Sequence, residues 1–153
     1  MSEPQAGDRA TMWAIRLHEY GDPHVLRHER VERPQPAAGE VLVRVAAAGV
    51  NPVDWKTREG RGVAQRNALP LILGWDIAGD VAALGAGVTG FAVGDPVFGL
   101  IRFPAAGGGY AEYATAPAGE LARRPAKLAP EAAAAVPLAA LTAWQGLFDA
   151  GRL

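Results

Sequence analysis

The chain has 153 residues, of which 50% are hydrophobic and 20% charged, with a formal net charge of -1 and no cysteine. This length suits one domain of ordinary size with a real core. A near-neutral charge without a basic run argues against binding to nucleic acid or to an anionic membrane. The absence of cysteine excludes disulfides and thiolate metal sites, and no apolar stretch has the length needed to span a membrane.

The N-terminal third combines a polar start with strand-like segments. Residues 1–11 are acidic and polar, which indicates a disordered leader of a cytoplasmic protein and not a signal peptide. Residues 12–17 and 25–31 are predicted to form a hairpin around a turn cluster. The β-branched run at residues 41–45 predicts a mostly buried strand. The three histidines, which all fall in the hairpin, are expected to be ordinary surface residues: His18, His24 and His28.

The centre of the chain is predicted to hold one short helix among short strands. Pro52 suits the first turn of a helix, because its missing N–H would be unsatisfied there, so residues 52–59 are predicted to be helical. Asn51 would be the N-cap of this helix. Glycine-rich turns separate three further predicted strands, a pattern typical of a small β-barrel; these strands cover residues 77–84, 96–101 and 110–114.

Beyond Pro125 the composition changes to strong helix formers, which predicts helices at residues 130–136 and 138–150. The predicted fold class is therefore mainly β with C-terminal helices, an α+β arrangement. Residues 85–90 match the G-x-G-x-x-G pattern of dinucleotide sites, but such a motif must open a helix. Only five residues separate it from Pro96, so it is interpreted as a glycine-rich hairpin turn.

Five short motifs become specific when they are taken together in this order and spacing. They are GEVLVRV (39–45), GVNPVD (49–54), GWDIAG (74–79), VGDPV (93–97) and GYAEY (109–113). In combination they resemble the GroES-like catalytic domain of the zinc-independent quinone oxidoreductases, in the medium-chain dehydrogenase/reductase family. The resemblance implies a partly open GroES-like β-barrel over residues 12–129. Residues 130–153 would be helices that lead into a cofactor-binding Rossmann domain, which is absent from this sequence.

The resemblance also implies a chemistry without zinc. The alcohol dehydrogenase branch needs a cysteine near positions 49–51 and a histidine after Gly74, where this chain has Asn51 and Trp75. Zinc requires several donors converging at about 2.0 to 2.3 Å, and no such set is recognisable, so no metal is expected. The implied reaction is hydride transfer from NADPH to a small-molecule quinone or to an enone, an activated alkene.

Catalytic roles are expected for Lys56 and Asn51. Negative charge develops on the substrate oxygen as hydride arrives, so a nearby cation lowers the barrier. Lys56 is one of only two lysines among fifteen Lys and Arg residues, although a lysine on a helix surface is also an ordinary structural feature. The Asn51 amide could contact the substrate carbonyl or the nicotinamide ribose, or could serve as the helix cap alone.

Further residues are assigned to the cofactor and substrate sides of the site. Asp54 is a candidate cofactor-side residue that could orient Lys56 or complement the helix dipole. By family position Thr142 and Trp144 would face the cofactor cleft. Trp55 and Trp75 are candidates for the lining of the substrate pocket, since their flat rings suit planar ligands. Asp76 is interpreted as a structural carboxylate, which would need hydrogen-bond partners if it is buried.

The sequence thus predicts the substrate-side half of a quinone or enone reductase, which needs a cofactor-binding domain in cis or in trans. The main alternative is a non-catalytic GroES-like module for binding or oligomerisation. Its helix at residues 138–150 would expose an apolar surface suited to self-association, made of Leu141, Trp144, Leu147 and Phe148. A cofactor-free isomerase or hydrolase is a third reading, but no nucleophile and base stand at a recognisable spacing.

Overall fold

The computed structural model describes residues 10–153, so most of the predicted leader lies outside the described residues. Two open antiparallel sheets dominate it, with strand orders β2-β1-β4 and β7-β3-β5-β6-β8. A bridge between Ala14 and Ala111 connects them. The strands are β1 (Thr11–Leu17), β2 (Leu26–Glu32), β3 (Glu40–Ala48), β4 (Leu71–Ile72), β5 (Asp76–Leu84), β6 (Pro96–Leu100), β7 (Tyr113–Pro117) and β8 (Ala122–Arg123). The predicted mainly β fold with C-terminal helices is confirmed.

The main core lies on one face of the five-stranded sheet. Strands β3 and β5 pair over most of their length, and alternating residues of both strands point into this core. The cluster is almost entirely aliphatic and includes Val41, Val43, Ile77, Val81, Val97 and Ile101. Its period-two pattern explains why the buried strand at residues 41–45 could be predicted from sequence.

Three short helices flank the sheets: α1 (Pro52–Arg58), α2 (Pro130–Ala134) and α3 (Pro137–Trp144). Each has proline at its start, where the missing N–H costs nothing. The helix predicted at 138–150 is helical, but its second half, Gln145–Ala150, has π-helical hydrogen bonding. The helix predicted at 130–136 ends two residues early, since Pro137 begins a new one.

The strand predicted at residues 110–114 is displaced, because β7 begins only at Tyr113. The backbone N–H groups of Gly109 and Tyr110 donate to the carbonyls of Gly74 and Leu73, and Tyr110 O accepts from Ile15. These hydrogen bonds direct the segment toward β1 and the loop before β5. The Tyr110 side chain therefore faces the loops around α1.

The glycine-rich motif at residues 85–90 forms a turn between β5 and β6 and opens no helix. Gly85 N–H donates to Glu40 O at 2.8 Å. A Cβ atom at Gly85 would lie 1.8 Å from Ala37 O, so only glycine allows this close approach of two chain segments. The interpretation as a hairpin turn is confirmed.

A buried carboxylate fixes the position of α1. Asp54 is 2% exposed; its Oδ2 accepts the Asn51 N–H at 2.7 Å and its Oδ1 accepts the Gly74 N–H at 3.0 Å. The Tyr110 hydroxyl, which donates to Gly49 O at 3.4 Å, lies close enough to Asp54 to stabilise its ionised form. Burial raises the pKa of Asp54, while these hydrogen bonds oppose the shift by stabilising the ionised form. One side chain thus joins three separate segments.

We expect Asp54→Asn to destabilise the domain by about 2–4 kcal/mol, because the amide offers one acceptor oxygen and turns an NH₂ group toward a backbone N–H. Urea unfolding measures the loss. Asp80→Asn is the matched control, since Asp80 is surface-exposed and pairs with the exposed Arg44, an interaction worth at most about 1 kcal/mol. Equal stability of the Asp54 and Asp80 variants would contradict the role given to Asp54.

Candidate functional site

The loop before α1 and the loop before β5 meet at Asp76. The Asn51 Nδ2 group donates to Asp76 Oδ2 at 2.9 Å, and the Leu138 N–H donates to both carboxylate oxygens at 3.1 and 3.2 Å. Asp76 is fully buried. Burial raises the pKa of its carboxyl, and the bonds from Asn51 and Leu138 oppose that shift. The expectation that a buried Asp76 needs partners is confirmed, and this carboxylate connects α1 to the start of α3.

A first cavity of about 200 Å³ borders α1 and is named the Trp55 cavity. Trp55, which lines this cavity, is 40% exposed. The phenol of Tyr110 also lines this cavity, and burial beside Asp54 raises the pKa of Tyr110, which keeps it neutral. The remaining lining residues are Leu26, Val50, Asp54, Arg58 and Leu73.

Lys56 lies on the exposed side of α1, next to this cavity. Its Nζ atom is 5.5 Å from the centroid of the Trp55 ring, and the guanidinium carbon of Arg61 is also 5.5 Å from that centroid. Both distances are within the range of cation–π attraction. Within residues 10–153 the Lys56 ammonium makes no ion pair, and Asp54 directs its oxygens to backbone N–H groups and not to Lys56.

A second cavity, of about 310 Å³, lies between α1 and α3 and is named the α1–α3 cavity. Thr142 lines this cavity. Trp144 does not line this cavity; it is 60% exposed and contacts Phe148 in a tilted arrangement, with ring centroids 4.6 Å apart and an interplanar angle of 46°. Residues two apart on a helix point in nearly opposite directions, which is why Thr142 lines this cavity and Trp144 does not. The other lining residues are Val53, Leu100, Phe103, Leu138, Leu141 and Gln145.

Trp75 occupies the core and lines neither cavity. Its side chain is fully buried, and its Nε1 group donates to Ala105 O at 2.6 Å. Its ring meets Phe103 edge to face, with centroids 6.0 Å apart. Trp75 therefore supports Phe103, whose ring lines the α1–α3 cavity.

Among the residues that line the two cavities, sequence reasoning missed Tyr110, Phe103 and Gln145. One sequence feature could have identified Tyr110. It directly follows three glycines, a pattern that indicates a turn with an aromatic side chain at its end. Gln145 follows Thr142 by three positions, which places both on one helix face. Phe103 reaches the α1–α3 cavity, and Arg61 reaches the Trp55 ring, through loop geometry that no local pattern encodes.

Within residues 10–153, no three His, Cys, Asp or Glu side chains converge to form a group that could bind a metal ion. The histidines lie on the surface, as predicted: His18 contacts Glu29 at 3.0 Å, and His28 stacks on Trp13 with centroids 4.5 Å apart. Across residues 10–153, no helix combines the length and the apolar character that crossing a bilayer would require.

Sequence comparison with known proteins identifies relatives that are named as oxidoreductases or reductases. The chain is 40% identical over 139 residues to the chloroplastic quinone-oxidoreductase homolog of Spinacia oleracea, covering 89% of this chain and 42% of that protein. It is 39% identical over 139 residues to the 2-methylene-furan-3-one reductase of Solanum lycopersicum, covering 87% and 36%. The chain thus spans less than half the length of these relatives.

A solved structure supports the same assignment. The mycobacterial protein Rv1454c complexed with NADPH superimposes with a TM-score of 0.78 at 39% identity, covering 89% of this chain and 39% of that chain. The profile of the alcohol dehydrogenase GroES-like domain matches residues 37–126, more than half of the sequence. The chain therefore belongs to the alcohol dehydrogenase GroES-like domain family, as an N-terminal domain of the quinone oxidoreductase type of medium-chain dehydrogenase/reductases.

Proposed function

We propose that this domain forms the substrate side of a zinc-independent, NADPH-dependent reductase of quinones or enones. The observation that carries the proposal is the α1–α3 cavity, where Phe103, Thr142 and Gln145 line a space that can hold a nicotinamide ring with the conjugated carbonyl compound stacked on it, as direct hydride transfer requires. Asn51, at the start of α1, is oriented by Asp76. The relatives support the two substrate classes, and the NADPH complex of a structural relative supports the cofactor.

The α1–α3 cavity has the chemistry of a nicotinamide site. Val53 and Phe103 offer apolar surfaces to a flat ring, while the Thr142 hydroxyl and the Gln145 amide offer hydrogen bonds to a carboxamide. When bound there, NADPH supplies the hydride. The chain's own residues orient that ring and keep water from one of its faces.

The Trp55 cavity shares no lining residue with the α1–α3 cavity, so we assign it to a part of a planar conjugated substrate that lies remote from the carbon receiving hydride. The Trp55 indole provides a surface for stacking. As the substrate accepts hydride, its carbonyl oxygen becomes negative, and the Lys56 ammonium beside the ring stabilises that charge. Solvent at the open side of the cavity then protonates the oxygen.

The alternative, a non-catalytic module, gives another role to the apolar surface of the C-terminal helix. Leu141, Trp144, Leu147 and Phe148 are each at least 45% exposed. We propose that this surface packs against a cofactor-binding domain, in the same chain or on another. The alternative instead predicts a homo-oligomer that binds no NADPH.

The distinguishing assay follows NADPH absorbance with a panel of quinones and enones. It compares this chain alone with the same chain joined to the remaining, C-terminal part of the mycobacterial relative. We expect turnover only in the joined protein. A folded joined protein with neither turnover nor NADPH binding would favour the non-catalytic module.

In the joined protein, we expect Lys56→Met to lower kcat by more than ten-fold, because the developing oxyanion loses its neighbouring cation. Lys127→Met is the matched control, since Lys127 is the other lysine of the chain and is exposed at a distance in sequence from α1. An unchanged kcat in the Lys56 variant would remove Lys56 from the mechanism.

A further inference from the structure

We infer that Arg102 is a positioning residue, which holds the ring of Phe103 at the wall of the α1–α3 cavity. The inference rests on the proposed function and deepens it, because it assigns the placement of one wall of the nicotinamide site to a residue outside that site. Phe103 lines the cavity, whereas Arg102, its neighbour in the chain, does not.

Arg102 has an unusual backbone conformation just after the end of β6. Its φ angle is +57°, in the left-handed region that is unfavourable for a residue with a Cβ atom. The Ala105 N–H donates to Arg102 O at 2.8 Å, which closes a tight turn that contains Phe103. A conformation of this kind persists only where surrounding contacts hold it, and such positions cluster at functional sites.

Four hydrogen bonds supply those contacts. The Arg102 N–H donates to Glu120 Oε2 at 2.6 Å, and the Nε group donates to Thr115 O at 2.9 Å. The Nη2 group donates to the Thr115 hydroxyl at 2.9 Å and to Glu40 Oε1 at 2.6 Å. The side chains of Arg102 and Glu40 are only 29% and 19% exposed, so solvent screens their ion pair less than one on the surface. The turn is thereby fixed to β3 and β7.

Packing alone does not determine where the Phe103 ring lies. The ring meets the buried Trp75 ring edge to face, yet Phe103 remains 46% exposed. The Trp75 Nε1 group holds the same turn from its other end, through Ala105 O at 2.6 Å. The direction in which Phe103 leaves the sheet therefore follows from two anchors of the backbone, one of which is Arg102. A half-exposed aromatic ring at a cavity suits contact with a flat ligand ring.

The residue type at this position supports a role for the side chain. Among residues 10–153, eight glycines have a φ angle in the left-handed region, and Arg102 and Arg152 are the only other residues that do. Glycine would adopt the turn at Arg102 without steric cost. An arginine here is explained if its side-chain hydrogen bonds hold the turn more rigidly than a glycine could.

The first test is made on this chain and needs no cofactor. Arg102→Gly removes the three side-chain hydrogen bonds but leaves the left-handed conformation accessible, so the variant is expected to fold. The measurement is the nuclear Overhauser effect between the rings of Phe103 and Trp75, with the Phe103 signals assigned from Phe103→Ala. A displacement of about 1 Å, the size that impairs hydride transfer, should lower this effect about two-fold or more.

Two further variants accompany this measurement. Thr115→Val removes only the hydroxyl acceptor and should cause a smaller fall in the same effect. Arg44→Ala is the matched control, because Arg44 also belongs to an ion pair that involves β3, with Asp80 at 3.1 Å, but its side chain is 64% exposed. The control should leave the effect unchanged.

The second test measures the affinity for NADPH of the protein joined to the C-terminal part of the mycobacterial relative. We expect Phe103→Ala to weaken binding about five-fold, as the loss of one aromatic contact would. Arg102→Gly should weaken it by about two- to five-fold. The double variant should bind no more weakly than Phe103→Ala alone, because Arg102 acts through that ring.

The possible failures are distinguishable. An unchanged ring contact in Arg102→Gly would refute the positioning role and leave the proposed function standing. Additive losses of affinity in the double variant would show that Arg102 does not act through Phe103 and would also refute the inference. A folded, unmodified joined protein that binds no NADPH would refute the nicotinamide site itself, and with it the proposed function.

Discussion

Asp54 presents a carboxylate that is almost entirely removed from water and accepts hydrogen bonds from the backbone of two separate segments. Burying a charge is costly unless every lone pair finds a donor, so these bonds leave the segments little freedom to move. The first lies before α1 and the second before β5, and Tyr110 adds a third point of attachment. The position of α1, and therefore of both cavities, depends on this side chain.

Asp76 is a second buried carboxylate that holds separate segments together, in this case α1 and the C-terminal helices. Its buried carboxylate accepts the Asn51 amide and the Leu138 N–H, which connects the substrate side of the site to the helix that bears Thr142. The two acids occur in two of the five motifs, Asp54 in GVNPVD (49–54) and Asp76 in GWDIAG (74–79). Their types are required because a short carboxylate can satisfy several backbone donors at once, which an amide of the same size cannot.

The fold was predictable because it follows from local pattern: β-branched alternation gives β3 and β5, and Pro52 after Asn51 gives α1. The site was predictable only in part. That Trp55 is exposed while Trp75 is buried depends on tertiary packing, because Trp75 packs against Leu17, Leu71 and Leu73 while Trp55 lies on an exposed face of α1. The placement of Thr142 and Trp144 on different faces of α3 could have been predicted from sequence, because helical periodicity alone requires it. Arg61 could not be found, because its approach to Trp55 depends on the turn after α1.

The most direct measurement of the central claim is amide hydrogen exchange at Asn51 and Gly74, the two N–H groups that Asp54 accepts. If the buried carboxylate fixes both loops, these amides open only with the whole domain, and their opening free energies should match those of Val43 and Val81 in the core strands within about 1 kcal/mol. Exchange of either amide through a local opening, several kcal/mol below the core value, would contradict the account.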